Sequence, residues 1–293
     1  MADRMTFPNK YDILKKTTLC IFTLVLFFSG KNPATITKPE NIIWNELDEG
    51  LFYTEMTGPH ISKFSDSKIS ILKIDPAFFD FELVASSESD SILRTIKEWC
   101  DTANLNGGIN AGMYSLKDHI SGVGLMQHYD HVNNPKVKEN FNALAVFNPK
   151  NKSLASLQIV DMVNQDWKDI LKNYHSCFQS IRMIDNEGKA VYWNKKPVLR
   201  CSMTVLAVDK SGNTLFLFSR SPYSANEFIN FMLKSGLQIQ TAMYLEGGPE
   251  ATLYVKTKKN EIVKFGSYVS GSKPDDTNIE LRKMPNVLGI RKK

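Results

Sequence analysis

The sequence predicts an α+β fold: a single domain of mixed, largely antiparallel sheets with a few packing helices. Three observations predict it. Short runs rich in β-branched and aromatic residues alternate apolar with polar side chains, Gly-, Pro- and Asp-bearing turns separate those runs, and only a few stretches carry apolar residues at helical spacing. No internal repeat or low-complexity tract breaks the pattern.

The elements follow in order. Residues 51–58 (LFYTEMTG), 67–75 (SKISILKID) and 80–87 (DFELVASS) alternate as strands, separated by Gly-Pro and Asp-Pro turns. In 91–104, Ile92, Leu93, Ile96, Trp99 and Cys100 fall on one helical face. The Gly-rich segment 107–114 (GGINAGMY) reads as an interior strand, followed by a long polar stretch at about 115–140. NALAVFNPK (142–150) and ASLQIVDMV (155–163) read as strands, and WKDILKNYH (167–175) as a short helix. Residues 177–193 suggest a hairpin through Asn186-Glu187-Gly188, and 199–220 a cleaner one through Asp209 to Asn213. In 224–237, Ser224 is a candidate N-cap with Glu227 completing a capping box, and Gly236 stands where a helix would end. That helix leads into a strand at 240–248, a Gly-Gly-Pro turn, a strand at 251–255 and an exposed Lys/Glu-rich hairpin at 256–264.

Composition bounds the function. The chain has 293 residues, 42% hydrophobic and 11% aromatic, which is ordinary for a globular protein. Its formal charge of +5 gathers partly at the two ends, and no basic stripe with interleaved aromatics appears, which argues against a nucleic-acid partner. Lys15-Lys16 precede an apolar run, residues 17–28, that fits the apolar stretch of an export signal and falls short of a comfortable bilayer span. Phe27 and Phe28 spoil the small-residue cleavage pattern, so residues 1–30 read as a signal peptide or as an uncleaved N-terminal anchor attaching the chain to a membrane. Residues 31–49 then form a linker and 50–293 the folded domain, in an exported, periplasmic or extracellular protein. Beyond Cys20, the cysteines Cys100, Cys177 and Cys201 lack CxxC spacing; three reduced, buried thiols are expected, and a Cys177–Cys201 disulfide is permitted.

Candidate chemistry concentrates at Tyr244–Val255, YLEGGPEATLYV. A strand delivers Glu246 into a turn whose Gly247 and Gly248 leave the backbone amides open to a ligand. Asn110 stands among Gly107, Gly108 and Gly112, where its amide could bond a ligand hydroxyl or hold a carboxylate. Arg200 leads an apolar strand, and a guanidinium there suits a phosphate or a simple solvated terminus. Gln179 and Arg182 share that ambiguity, and Ser180 lacks the GxSxG setting of a hydrolase nucleophile. His119, His128 and His131, with Asp118 and Asp130, read as a mobile, solvated loop beside the cleft rather than as a metal site. No motif calls for a cofactor or assigns a metal ligand, although a divalent cation could share Glu246 with a substrate.

Taken in order, NAGMY with GVGLM, the FQS segment, RCSMTVLAVDKSGNTLFLF and YLEGGPEATLYV resemble the phosphodiester glycosidase family over roughly residues 70–270. The resemblance implies a hydrolase acting on a sugar phosphodiester or related glycan. It implies a site lined by Asn110, Arg200, Glu246, Gly247 and Gly248, with Gln179 and Ser180 as further substrate-binding residues. It also implies Glu246 as base or nucleophile, Arg200 on phosphate, and Asn110 orienting the sugar or Glu246. Asp118, Asp130 and Glu250 are candidates for a second carboxylate. The family usually carries Leu-Asp-Gly-Gly where this chain has Leu-Glu-Gly-Gly, and commonly Gly-Pro at Ile181-Arg182. The alternative is a glycan- or phosphosugar-binding protein that keeps the fold without turnover.

Overall fold

A computed structural model describes residues 42–270 and 273–293. The expected signal or anchor at 1–30 and most of the 31–49 linker therefore lie outside the described residues. Among those described, the strands are β1 (Asn45–Asp48), β2 (Leu51–Thr57), β3 (Lys68–Ile74), β4 (Phe79–Ala85), β5 (Gly107–Asn110), β6 (Met126–His128), β7 (His131–Asn134) and β8 (Ala143–Pro149). They continue as β9 (Leu157–Asp161), β10 (Tyr174–Ile184), β11 (Cys201–Asp209), β12 (Thr214–Tyr223), β13 (Ile239–Gly247), β14 (Thr252–Lys256), β15 (Glu261–Phe265) and β16 (Asn286–Lys292). The helices are α1 (Ile96–Thr102), α2 (Trp167–Leu171) and α3 (Ala225–Lys234).

All the strand pairings are antiparallel, and they build two sheets. The larger runs β1-β2-β3-β12-β11-β13-β10-β6-β7, with β8 also on β10 and β9 on β8; the smaller runs β15-β14-β5-β16-β4. Inward residues of both sheets, among them Leu72, Phe81, Ile109, Leu206, Phe216, Leu253 and Leu288, share one core. A second core lies on the other face of the large sheet, where Phe228, Ile229 and Met232 of α3 cover Val205, Leu217 and Ala242. This explains why β11, β12 and β13 are buried on both faces although each begins or ends in polar residues. Helix α1 covers the small sheet through Ile96 and Trp99, and Trp167 and Ile170 of α2 pack beside β8 and β10.

The helix ends follow their local chemistry. Thr95 and Glu98 close a capping box on α1, and Ser224 and Glu227 close another on α3. Gly236 takes φ +80° just beyond α3, the left-handed conformation that ends a helix. The hairpin expected over 177–193 differs. After β10 the return makes a single bridge, Ile184 to Ala190, then leaves the sheet for α3, where Asn226 accepts the Trp193 N–H and Tyr192 bonds Asn230. The stretch at 115–140 is also more ordered than expected. It contains the β6–β7 hairpin, His128 is buried against Glu88 at 2.9 Å, and His131 meets the Ser87 hydroxyl at 2.9 Å.

Cys100, Cys177 and Cys201 are free thiols, the first two buried and Cys201 partly exposed. No helix among the described residues is long and apolar enough to cross a membrane.

Candidate active site

The Gly-Gly-Pro turn is a crossover rather than a hairpin. β13 belongs to the large sheet and β14 to the small one, so Glu246 to Ala251 pass between the sheets at one end of the sandwich. Just before the crossing, the β11–β13 register slips: Thr204 pairs with Glu246 while Val205 pairs with Tyr244, leaving Leu245 as the extra residue of a bulge. A bulge bends its strand and re-aims the side chain beyond it, here Glu246. The Thr204 hydroxyl secures the bend, lying 3.2 Å from both the N–H and the carbonyl of Glu246.

The glycines are required by space. A Cβ on Gly247 would sit 2.4 Å from the Tyr244 hydroxyl, and Gly248 adopts φ +72°. Gly266, from the segment after β15, closes over the turn so tightly that a Cβ there would meet the Gly248 carbonyl at 1.9 Å.

Asn110 ends β5 beside this turn and is buried. Its amide donates to the Glu250 carbonyl at 2.7 Å, and its oxygen accepts the Thr252 N–H at 2.7 Å. These bonds go to backbone rather than to a carboxylate: Asn110 holds the chain that carries Glu250.

Glu246 and Glu250 open on a cleft of about 940 Å³. One wall is a flap at 113–123 that closes on itself through Ser115 to Ser121 and Val123 to Met113 backbone bonds. The other wall runs from Asn133 to Lys138, and Lys117, Lys136 and Lys138 add three ammonium groups to the lining. Glu250 thus stands out from Asp118 and Asp130 as the second carboxylate at this cleft. Asp118 instead accepts the N–H groups of Ile120 and Ser121 within its own loop.

Burial pushes the Glu246 carboxyl up to about 8, opposed by the Gly247 N–H that it accepts at 3.0 Å and reinforced by the charge of Glu250. Burial likewise lifts the Tyr114 hydroxyl to about 12, with Glu250 and Glu246 adding to it. Cys201, behind the turn, is lifted to about 11 by burial, although the Gly248 N–H opposes the shift. A neutral Glu246 at pH 7 is a proton donor in waiting.

Three of the expected site residues are not in the lining of this cleft. Gln179 is buried, with its carboxamide spent on backbone: its oxygen accepts from Leu125 and Lys138, and its nitrogen donates to Lys138 and Phe141. Ser180 is buried and donates to the Tyr244 carbonyl. Both brace the wall from behind. Arg200 is outside the cleft lining. Its guanidinium forks onto Glu227 at 2.8 and 3.2 Å, on the capping box of α3. Burial opposes ionisation of Glu227, but Arg200 and the Ser224 groups hold its carboxyl down to about 2. Arg200→Ala should therefore leave kcat/KM within about threefold of wild type and lower stability by about 0.5–1 kcal/mol, read by steady-state kinetics and urea unfolding.

Gly266, Thr204, Tyr114 and the lysines carry no motif that would have singled them out. Glu250 did have a signal, since it shares the turn with Glu246. Among the described residues, no group of three or more His, Cys, Asp or Glu side chains is arranged to hold a metal ion.

Comparisons with known proteins agree with this architecture. The chain is similar in structure to the catalytic domain of zebrafish N-acetylglucosamine-1-phosphodiester α-N-acetylglucosaminidase, described as auto-inhibited by its pro-peptide: TM-score 0.56 and 13% identity, covering 85% of this chain and 86% of that one. It is also similar to a hypothetical protein from Synechocystis, with TM-score 0.55 and 11% identity, covering 85% of this chain and 63% of that one. A putative exported protein from Burkholderia pseudomallei gives TM-score 0.50 and 11% identity, with 76% and 73% covered. At such identities these likenesses speak to the fold. No curated protein matches the chain in sequence. The sequence model of the phosphodiester glycosidase family matches residues 101–291, a span that holds Asn110, the flap, both glutamates and the Gly-Gly-Pro crossover. The chain belongs to the phosphodiester glycosidase family.

Proposed function

We propose that this protein is an exported glycosidase that hydrolyses a phosphodiester-linked sugar, or a related linkage, in cell-surface or extracellular glycan. The observation that carries the reading is the placement of Glu246 and Glu250 on one crossover facing a single cleft rimmed by lysines. Family membership supports the reaction class, and the zebrafish protein's printed name suggests an N-acetylhexosamine 1-phosphodiester as the first substrate to try. Export rests on Lys15-Lys16 and the apolar run that follows them.

In this reading the bond between the anomeric carbon and the phosphate oxygen breaks through an oxocarbenium-like state. Glu246, protonated at neutral pH, gives its proton to the departing phosphate oxygen, a role that replaces the base or nucleophile suggested by the sequence. Glu250 stabilises the anomeric carbon or takes a proton from the attacking water, whose hydroxyl ends on the sugar. The products are a free sugar and a phosphate monoester. The phosphate is already a weak base, so proton transfer is an aid to departure more than a necessity. Neutralising its charge matters at least as much.

The test is incubation of the full chain with a panel of sugar 1-phosphodiesters, scoring free reducing sugar and phosphate monoester. Release of both from at least one member, lost in Glu246→Gln, is expected. Saturable binding of the diesters without product from any of them would replace the glycosidase by a phosphosugar-binding protein.

A further inference from the structure

With Arg200 engaged on the outer face, the phosphate of the proposed substrate needs another cationic partner. We propose that Lys117, Lys136 and Lys138 form an anion-recognition rim that takes the phosphate group of the ligand. This assignment rests on the glycosidase reading for the identity of the substrate, but not for the existence of the anion site.

The three lysines come from both walls of one cleft: Lys117 from the flap, Lys136 and Lys138 from the facing segment. None of the three ammonium groups has an ion-pair partner among the described residues. At the other end of the sandwich, Lys256 pairs with Asp101 and Lys292 with Asp48, while Lys258 and Lys259 carry no ion pair among the described residues. Like charges gathered around a cleft and left unpaired raise its potential and favour an anion entering it.

The backbone that presents the lysines is held by side-chain hydrogen bonds. The Lys138 N–H donates to the Gln179 carboxamide oxygen at 2.8 Å, and the Lys138 carbonyl accepts from its nitrogen at 2.9 Å. Gln179 is only 3% exposed, so the clamp is anchored in the core. The Lys136 N–H donates to the Asn134 side chain at 2.9 Å, and the Lys117 N–H to the Ser115 hydroxyl at 3.1 Å. Fixing the backbone leaves only side-chain rotamers to be ordered when a ligand binds, which lowers the entropic cost of recognition. Asn133 and Asn134 on the same wall tie it to the flap, Asn133 accepting the Gly122 N–H and Asn134 donating to the Gly122 carbonyl, both at 2.7 Å.

The ligand class follows: a phosphate mono- or diester, with the phosphate toward the lysines and the sugar toward the two glutamates. The test measures the Kd of inorganic phosphate, and of a hexose 1-phosphate, for the full chain by titration calorimetry at low and high salt. Lys117→Met, Lys136→Met and Lys138→Met should each weaken binding by about tenfold, as expected for the loss of a charge-assisted contact. Wild-type affinity should fall as salt rises, less steeply in the variants. Lys150→Met, at an exposed lysine outside the cleft, should bind as wild type does. Retention of phosphate affinity within twofold in the triple Met variant would overturn the proposal, and so would the absence of phosphate binding by wild type at low salt. Lysine-dependent phosphate binding in a protein that turns over no diester would leave the anion rim standing while removing the glycosidase reading.

Discussion

Glu246→Gln is expected to lower kcat on a sugar 1-phosphodiester by 10²- to 10⁴-fold, the usual range for loss of a positioned proton donor. The effect should fall toward the lower end, since phosphate departs readily without protonation. The pH profile should change with it. Wild-type kcat should decline above about pH 8 as Glu246 ionises, and the residual activity of the variant should lack that limb. The other groups around the carboxyl are Glu250, Tyr114, Tyr244, Cys201 and the rim lysines. Cys201 and Tyr114 are held at about 11 and 12, and burial lifts Tyr244 well above the ordinary tyrosine range, so none of these three accounts for a limb near 8.

The same proton carries a stability signature. The folded chain holds it up to about pH 8, whereas an unfolded glutamate releases it near 4.5. The contribution of Glu246 is therefore fully present below about pH 4.5, shrinks as pH rises, and is gone above about 8. A fully buried carboxyl would account for about 5 kcal/mol over that window at about 1.4 kcal/mol per pH unit. Screening by cleft water reduces the expectation to about 2–3 kcal/mol. Glu246→Gln should accordingly raise the unfolding midpoint relative to wild type at pH 8.5 and leave it nearly unchanged at pH 4.5. Equal shifts at the two pH values would show that the carboxyl is not held neutral.

Gly266→Ala should be the most damaging change of a single methyl group near the site. Its Cβ would meet the Gly248 carbonyl at 1.9 Å, and neither side can retreat. The Gly266 N–H is tied to Ala251, its carbonyl accepts from Asn278 at 2.7 Å, and Arg220 fixes the flanking segment through Phe265 and Asn278 at 3.0 and 2.8 Å. On the other side, Asn110 holds the crossover. Overpacking of this kind costs about 1–3 kcal/mol, and a backbone clash belongs at the upper end. Displacing the turn by about 1 Å would also cost on the order of 10²-fold in rate. Chemical unfolding with kinetics at 10 °C, where the variant stays folded, separates the two effects. Wild-type stability in Gly266→Ala would mean that the crossover is looser than the geometry indicates.

What could be read from the sequence follows the range of the interactions involved. Alternation marks β2, β3 and β4, whereas β8, β9 and the β11–β12 hairpin are legible as apolar runs bounded by turn residues, β11 and β12 having a core on both faces. The capping box at Ser224 is complete within four residues of chain. Glu246 was legible because the two glycines after it are local. Arg200 shows the limit: its place at a strand end is a local fact, whereas its partner Glu227 lies on α3, 27 residues away. A free guanidinium and a paired one look alike in sequence. Gln179 misled for the same reason, since the loop that consumes its carboxamide starts at Leu125, 54 residues upstream. Gly266 and Asn110 act on the crossover only after the small sheet has formed. The bulge at Leu245 depends on how β13 pairs with β11, which no single strand encodes. The three rim lysines sit in a polar stretch whose sequence reads as solvated loop until β6, β7 and Gln179 fold it against the cleft.

The proposed reaction cleaves the glycosidic carbon–oxygen bond rather than the phosphorus–oxygen bond. Hydrolysis of a sugar 1-phosphodiester in ¹⁸O-labelled water, followed by ³¹P NMR of the released phosphate monoester, distinguishes them directly. Attack at the anomeric carbon leaves the phosphate unlabelled, with an unshifted ³¹P resonance, and puts the label on the sugar. An isotope-shifted phosphate resonance would mean that water had attacked phosphorus, and the glycosidase reading would be wrong.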